Sequence, residues 1–202
     1  MKTIIKDSLI LFAITLVAGL LLAVVNQITA PKIDEAKKKQ KEEACKAVFV
    51  DASSFKEVPE LLEDADVVAY QATDSKIQCT EVLAAYDENN NLLGYILNMT
   101  TKEGYGGEIS FMMGVRNDRT VNALSILTTN ETVGLGLQAE SVLLPQFENK
   151  NVGTFKYTKM GSSAPDEIDA ISSATITTNA FVNAVNNGLG LFDIIAGKGG
   201  AF

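Results

Sequence analysis

The chain has 202 residues, a net charge of -8 and a pI near 4.6, room for one ordinary domain plus an appendage. The acidic balance argues against a nucleic-acid partner, which needs clustered Lys and Arg. There is no histidine, so His-based acid–base catalysis and the usual zinc ligand sets are excluded, and Cys45 and Cys79 form no Cys-x-x-Cys pair that would hold a metal or cluster.

The N-terminus carries the strongest single signal. Ser8 to Val25 is free of charge and rich in Leu, Ile, Val and Ala, and with Asn26 to Ile28 it makes about 30 Å of helix at ~1.5 Å per residue, enough to span a bilayer. A retained anchor over residues 1–30 is the expectation, with a cleaved signal peptide as the alternative, since Lys2 and Lys6 precede the run. Pro31 then opens a second, charge-dense helix over residues 31–50, in which Asp34/Lys38, Glu35/Lys39, Lys38/Glu42 and Lys39/Glu43 stand at i,i+4 spacing. This reads as a solvated spacer, with lipid headgroup binding by its lysines as the minor alternative. The lysines beyond the apolar run outnumber those before it, which leans toward a cytoplasmic C-terminal domain.

Residues 51–196 have the composition of a folded domain, ahead of a Gly-rich tail at 197–202. A short helix is expected around Phe55 to Leu62, then strands at Val67 to Ala72, Glu81 to Tyr86, Leu92 to Met99, Ile109 to Val115 and Val121 to Thr128. Polar turns at Asp87 to Asn91 and Asn117 to Thr120 suggest hairpins and an antiparallel sheet. Gln138 to Phe147, interrupted near Pro145, is expected to be a covering helix, and Phe155 to Lys159 a further strand. The class is α+β.

Three segments stand out. Gly104-Tyr105-Gly106-Gly107 and Glu131-Thr132-Val133-Gly134-Leu135-Gly136 are glycine-rich turns without the strand-to-helix setting of a dinucleotide or Walker loop. Asp169-Ala-Ile-Ser172-Ser173-Ala174-Thr175 precedes an apolar-periodic run through Ile176, Ala180, Ala184, Val185 and Leu189, which marks a helix start capped by Ser172 or Ser173. A cap at Ser173 places Thr175 at the second helical position, beside backbone N–H groups that favour an anion.

In that order, behind one membrane helix, the three segments closely resemble the G component of the Rnf-type ion-translocating electron transport complex, and also the C component of the sodium-pumping NADH:quinone reductase. Chain length favours the first. The resemblance implies an FMN-binding domain with flavin joined to threonine by a phosphoester. It makes Thr175 the acceptor, with Asp169, Ser172 and Ala174 in the pattern read by a separate flavin transferase; Ser173 stands where Gly is commoner. It places Gly104, Tyr105, Gly106, Gly107, Glu131, Thr132, Gly134, Leu135 and Gly136 along the flavin, with Val133 in place of a frequent Pro, and brings Lys159 within reach of the ring oxygens. It further implies an electron carrier without its own catalytic or metal site, anchored singly in the cytoplasmic membrane with its domain outside, contrary to the charge count. Its partners would be other subunits of a complex coupling ferredoxin and NAD to Na+ or H+ movement, together with the transferase and membrane lipid. A stand-alone tethered flavoprotein and a non-redox tethered binding domain are the competing classes.

Overall fold

A computed structural model of the chain describes residues 2–131 and 138–198. Contacts divide it into two units, one ending at Glu42 and one beginning at Glu43. The first unit is helix α1, Lys2–Val48, up to the boundary. Its side chains from Ile4 to Ile28 are exposed on every side, and by length and composition α1 can cross a membrane. Contrary to expectation, Pro31 opens no second helix: α1 runs through it. The N–H that Pro31 lacks weakens one turn by roughly 3 kcal/mol, but helix-forming Ala, Lys and Glu follow and opposite charges continue at i,i+4 spacing.

The second unit is built on a five-stranded antiparallel sheet in the order β1-β2-β3-β4-β5. The strands are β1 (Ser54–Glu57), β2 (Ile77–Tyr86), β3 (Leu92–Gly104), β4 (Gly107–Arg116) and β5 (Val121–Thr129). Turn chemistry fixes the register. Asp87 Oδ1 accepts from the N–H groups of Asn89 (2.8 Å) and Asn91 (2.7 Å), while Asn90 takes φ 61°. In the Asn117–Thr120 turn, Asp118 Oδ1 accepts from Thr120 N–H at 3.0 Å.

Because side chains alternate along each strand, the sheet buries two faces. One receives helix α4 (Thr175–Lys198), whose Phe181 packs on Phe111 with ring centroids 5.1 Å apart and whose Phe192 meets Tyr95 at 6.3 Å. The other receives residues 44–49, where Ala44, Cys45 and Val48 at the end of α1 and Phe49 just after it pack on Leu83, Ala85, Ile96 and Met112. Gly114 makes that approach possible, since a Cβ there would lie 2.3 Å from Val48 Cγ1. Within this unit Arg116 makes a paired bond to Asp51 (3.0 and 3.3 Å), and Asn122 Nδ2 donates to the Val48 carbonyl.

Several expected elements differ. Phe55 to Leu62 is strand β1 followed, after Pro59, by the short helix α2 (Glu60–Glu63). Val67 to Ala72 is not a strand but helix α3 (Ala65–Gln71), begun by Asp64, whose side chain accepts from Asp66 N–H at 2.9 Å. That cap outweighs the β propensity of the Val67–Val68 pair. Gln138 to Phe147 forms a π turn (Ala139–Leu143) and a 3-10 turn (Leu144–Gln146) around Pro145 rather than an α-helix. Strand β6 (Lys156–Thr158) pairs in parallel with an unexpected β7 (Glu167–Asp169). Helix α4 also continues through Gly197 to Lys198, whose ammonium bonds Asp64 and Asp66, so the tail begins later than the composition indicates.

Both cysteines are buried thiols. Burial pushes the Cys79 thiol up to about 12. At pH 8 it is therefore expected to ignore a disulfide thiol reagent in the native protein and to react once the chain is denatured. Because the folded value is the raised one, the stabilisation is full below the unfolded value near 9 and is lost as pH climbs from there toward 12. Denaturant midpoints measured across that range should fall, and should fall less in Cys79→Ala.

Candidate functional site

The first turn of α4 is the centre of the site. Ile171 and Ala174 are buried, Ser172 and Ser173 are exposed, and Thr175 is the first helical residue, half-buried. A turn closes from Ala174 N–H to Ile171 C=O at 3.0 Å, with Ser173 left-handed at φ 65°. Neither serine acts as the expected cap, because that turn places Ala174 at the cap position and Thr175 at the first helical position rather than the second. The positive φ is the physical reason glycine suits the place Ser173 holds.

Thr178, one turn into the helix, does the fixing. Its Oγ1 accepts from Ile171 N–H at 3.2 Å and donates to Ala174 C=O at 3.0 Å, and the side chain is fully buried. Thr178→Val is nearly isosteric but strands the Ile171 N–H, which costs about 1–3 kcal/mol. Denaturant unfolding should register that loss. The strand leading in is held by Gln146, whose Oε1 accepts from Asp169 N–H (2.7 Å) and whose Nε2 donates to Asp169 C=O (3.2 Å). Asp169 Oδ2 accepts from Ser162 Oγ at 3.2 Å, while its buried Oδ1 has no partner among the described residues.

The Gly-Tyr-Gly-Gly segment is the hairpin turn between β3 and β4, with Gly104 paired to Gly107. Its glycines have separate reasons. Gly107 needs φ 110°, whereas a Cβ on Gly106 would sit 2.1 Å from the Asn130 carbonyl oxygen and one on Gly104 would sit 2.7 Å from Glu131 Oε1. The turn therefore lies directly on Asn130 and Glu131, and Gly106 N–H donates to Glu131 Oε1 at 3.2 Å.

Those two pieces and the start of α4 enclose a cleft of about 460 Å³, with Tyr105 and Glu131 on one side and Ser173 to Thr177 on the other. A second cleft of about 320 Å³ shares Thr175 and Ile176 and adds Lys76, Glu103, Tyr157 and Asn179. Tyr105, 71% exposed, and Ile176, 54% exposed, present bare apolar surface at the larger cleft. Among the described residues, the N–H groups of Thr175, Ile176 and Thr177 have no acceptor.

Of the residues singled out in the sequence, Tyr105, Glu131, Ser173, Ala174 and Thr175 line the larger cleft. Gly104, Gly106 and Gly107 shape its wall, and Ser172 lies on the turn that opens α4. Lys159 does not join them: it is exposed, one residue past β6, outside the lining of either cleft. Thr132, Val133, Gly134, Leu135 and Gly136 lie outside the described residues. Sequence reasoning missed the second cleft. Asn179, at i+4 from Thr175, was legible from helical spacing, but nothing local marks Lys76, Glu103 or Tyr157.

A phosphate monoester or diester fits this arrangement. Three N–H groups without acceptors among the described residues, at the positive end of a 24-residue helix, suit its charge, and a cleft of this size with apolar rims suits an attached aromatic ring. The model for the FMN-binding domain matches residues 104–190, from the hairpin turn through most of α4. The chain thus carries an FMN-binding domain behind one apolar helix. The model for the RnfG N-terminal region matches residues 1–48, the span of α1. Over 195 residues the chain is 33% identical to the G component of the Na(+)-translocating ferredoxin:NAD(+) oxidoreductase complex of Acetobacterium woodii, covering 92% of this chain and 89% of the relative. Over 188 residues it is 27% identical to the G component of the proton-translocating ferredoxin:NAD(+) oxidoreductase complex of Clostridium ljungdahlii, covering 89% and 90%. The crystal structure of Shewanella oneidensis NqrC matches the fold with a TM-score of 0.50 at 18% identity, over 58% of this chain and 59% of that one. The chain belongs to the RnfG family, the G components of Rnf-type ion-translocating oxidoreductase complexes.

Proposed function

We propose that this protein carries FMN covalently, through a phosphoester on Thr175, and relays electrons within a membrane complex. The observation that carries this reading is the position of Thr175, the first residue of α4, on a cleft wall beside N–H groups without acceptors among the described residues. Attachment needs no base within this chain. A separate transferase would join the Thr175 oxygen to the FMN phosphorus of FAD, break the anhydride, release AMP and take the hydroxyl proton. When bound, the flavin supplies the electron transfer. Thr175 supplies only a tether, so the cofactor stays in place in either redox state. The helix start offsets the phosphoester charge, and Tyr105 and Ile176 give the ring apolar contact. Glu131, fixed by Gly106 N–H, holds the turn against the cleft.

The complex would couple electron flow between ferredoxin and NAD to movement of Na+ or H+, the two ions that the relatives' names carry. Helix α1 serves as a single-pass anchor, and the domain is assigned to the extracytoplasmic side, where the transferase would meet it. Flavin fluorescence that stays with the band on a denaturing gel, from a host with the transferase, is the expected result. A non-fluorescent band would refute covalent attachment. Protease treatment of intact spheroplasts should digest the domain; complete protection would place it on the other side.

A further inference from the structure

The start of α4 offers a phosphoester on Thr175 only a partial positive charge, in otherwise acidic surroundings. The chain is acidic overall, Glu131 stands in the larger cleft and Glu103 in the smaller, and a phosphoester on Thr175, which lines both, would add another negative charge. Among the described residues, Lys76 is the only basic side chain lining either cleft. Its backbone is pinned from both sides: Lys76 N–H donates to Asp74 Oδ1 at 2.8 Å, and its carbonyl accepts from Lys102 N–H at 2.9 Å. Its ammonium is held only by an ion pair. The Nζ stands 3.7 Å from Glu103 Oε1, beyond hydrogen-bond distance, and the side chain is 66% exposed. Glu103, in contrast, is held in place, because its Oε2 accepts from Asn183 Nδ2 at 2.8 Å. A fixed base with a loosely engaged ammonium leaves the charge free to turn toward the cleft wall, while Glu103 keeps it in the neighbourhood.

We propose that Lys76 is the counter-ion of the phosphoester on Thr175, and that Glu103 and Asn183 are the positioning residues that keep it at the smaller cleft. The inference rests on the tether reading above. A compact ammonium on a flexible stem suits a single phosphate charge, and Arg preserves that charge where Ala and Glu do not.

The test compares the full-length chain in detergent, loaded with flavin in a host that has the transferase and unloaded from one that lacks it. For the wild type and Lys76→Arg, loading is expected to raise the Tm by about 2–4 °C, and the rise should shrink as salt screens the pair. In Lys76→Ala the rise is smaller by about 1–2 °C, the share an exposed ion pair supplies, and in Lys76→Glu it is smaller still. The 31P resonance of the phosphoester should move in both of those variants and return toward the wild-type position in Lys76→Arg. Those readouts compare each variant with its own unloaded form, so a purely structural effect of Lys76 cancels. Equal loading shifts and an unmoved 31P resonance across all four proteins would overturn the role of Lys76 while leaving the tether intact. A wild type that takes up no flavin would remove the tether, and with it the proposed pair.

Discussion

Thr175→Ala is expected to abolish covalent flavin completely while leaving the fold in place. The loss is all or none because the substitution removes the one oxygen through which the bond forms. The fold survives because Thr175 is half-buried at the first helical position and its hydroxyl makes no hydrogen bond among the described residues. The turn before it is held by Thr178, which is untouched. Ala is a good residue within a helix, so the stability change should stay within about 0.5 kcal/mol. Intact mass should show no adduct, and the thermal unfolding curve should match that of the unloaded wild type. An adduct that survives would move the tether elsewhere, and an unfolded variant would mean that Thr175 also supports the structure.

Gly106→Ala should produce a large stability loss for one added methyl group. Its Cβ would meet the Asn130 carbonyl oxygen at 2.1 Å, the Asn130 carbonyl carbon at 2.6 Å and the Glu131 Cα at 2.9 Å. All three are backbone atoms, so no side chain can swing aside, and either the hairpin turn or the segment after β5 must move. A cost of about 3 kcal/mol is expected, at the upper end of ordinary overpacking, which corresponds to a Tm fall of roughly 6–12 °C for a chain of this size. The same displacement breaks the Gly106 to Glu131 bond and opens one wall of the larger cleft. Gly107→Ala is the control. Its Cβ meets nothing, and only the φ of 110° is strained, so about 1–2 kcal/mol is expected. Circular dichroism melts of the two variants should separate close approach from backbone freedom; equal losses would contradict the packing assigned to Gly106.

The sequence carried the parts of this molecule that depend on local chemistry. Four of the expected strands overlie β2 to β5, because alternation is reinforced by acid- and Asn-rich turns whose side chains bond their own backbone. The start of α4 was legible within a residue or two, since Ser-Ser-Ala-Thr ahead of an apolar period has few other outcomes. What fails locally is what tertiary contacts decide. Val67 and Val68 read as strand until Asp64 caps them into α3. Ser173 reads as a cap until the Ile171 to Ala174 turn takes it left-handed. Gly106 was legible as a special residue but not in its reason, because Asn130 and Glu131 lie far along the chain from it. Lys76 carries no signal at all: it reaches the site through the pairing of its carbonyl with Lys102, not through any motif.

A single bond joins flavin to chain in this reading, and peptide-level mass spectrometry tests for it most directly. Protein from a host with the transferase is digested, and the peptide spanning Asp169 to Thr178 is fragmented. The expected result is an FMN phosphoester located on Thr175, with Ser172 and Ser173 unmodified. A flavin on either serine, or an unmodified peptide from protein that is nonetheless yellow, would contradict it.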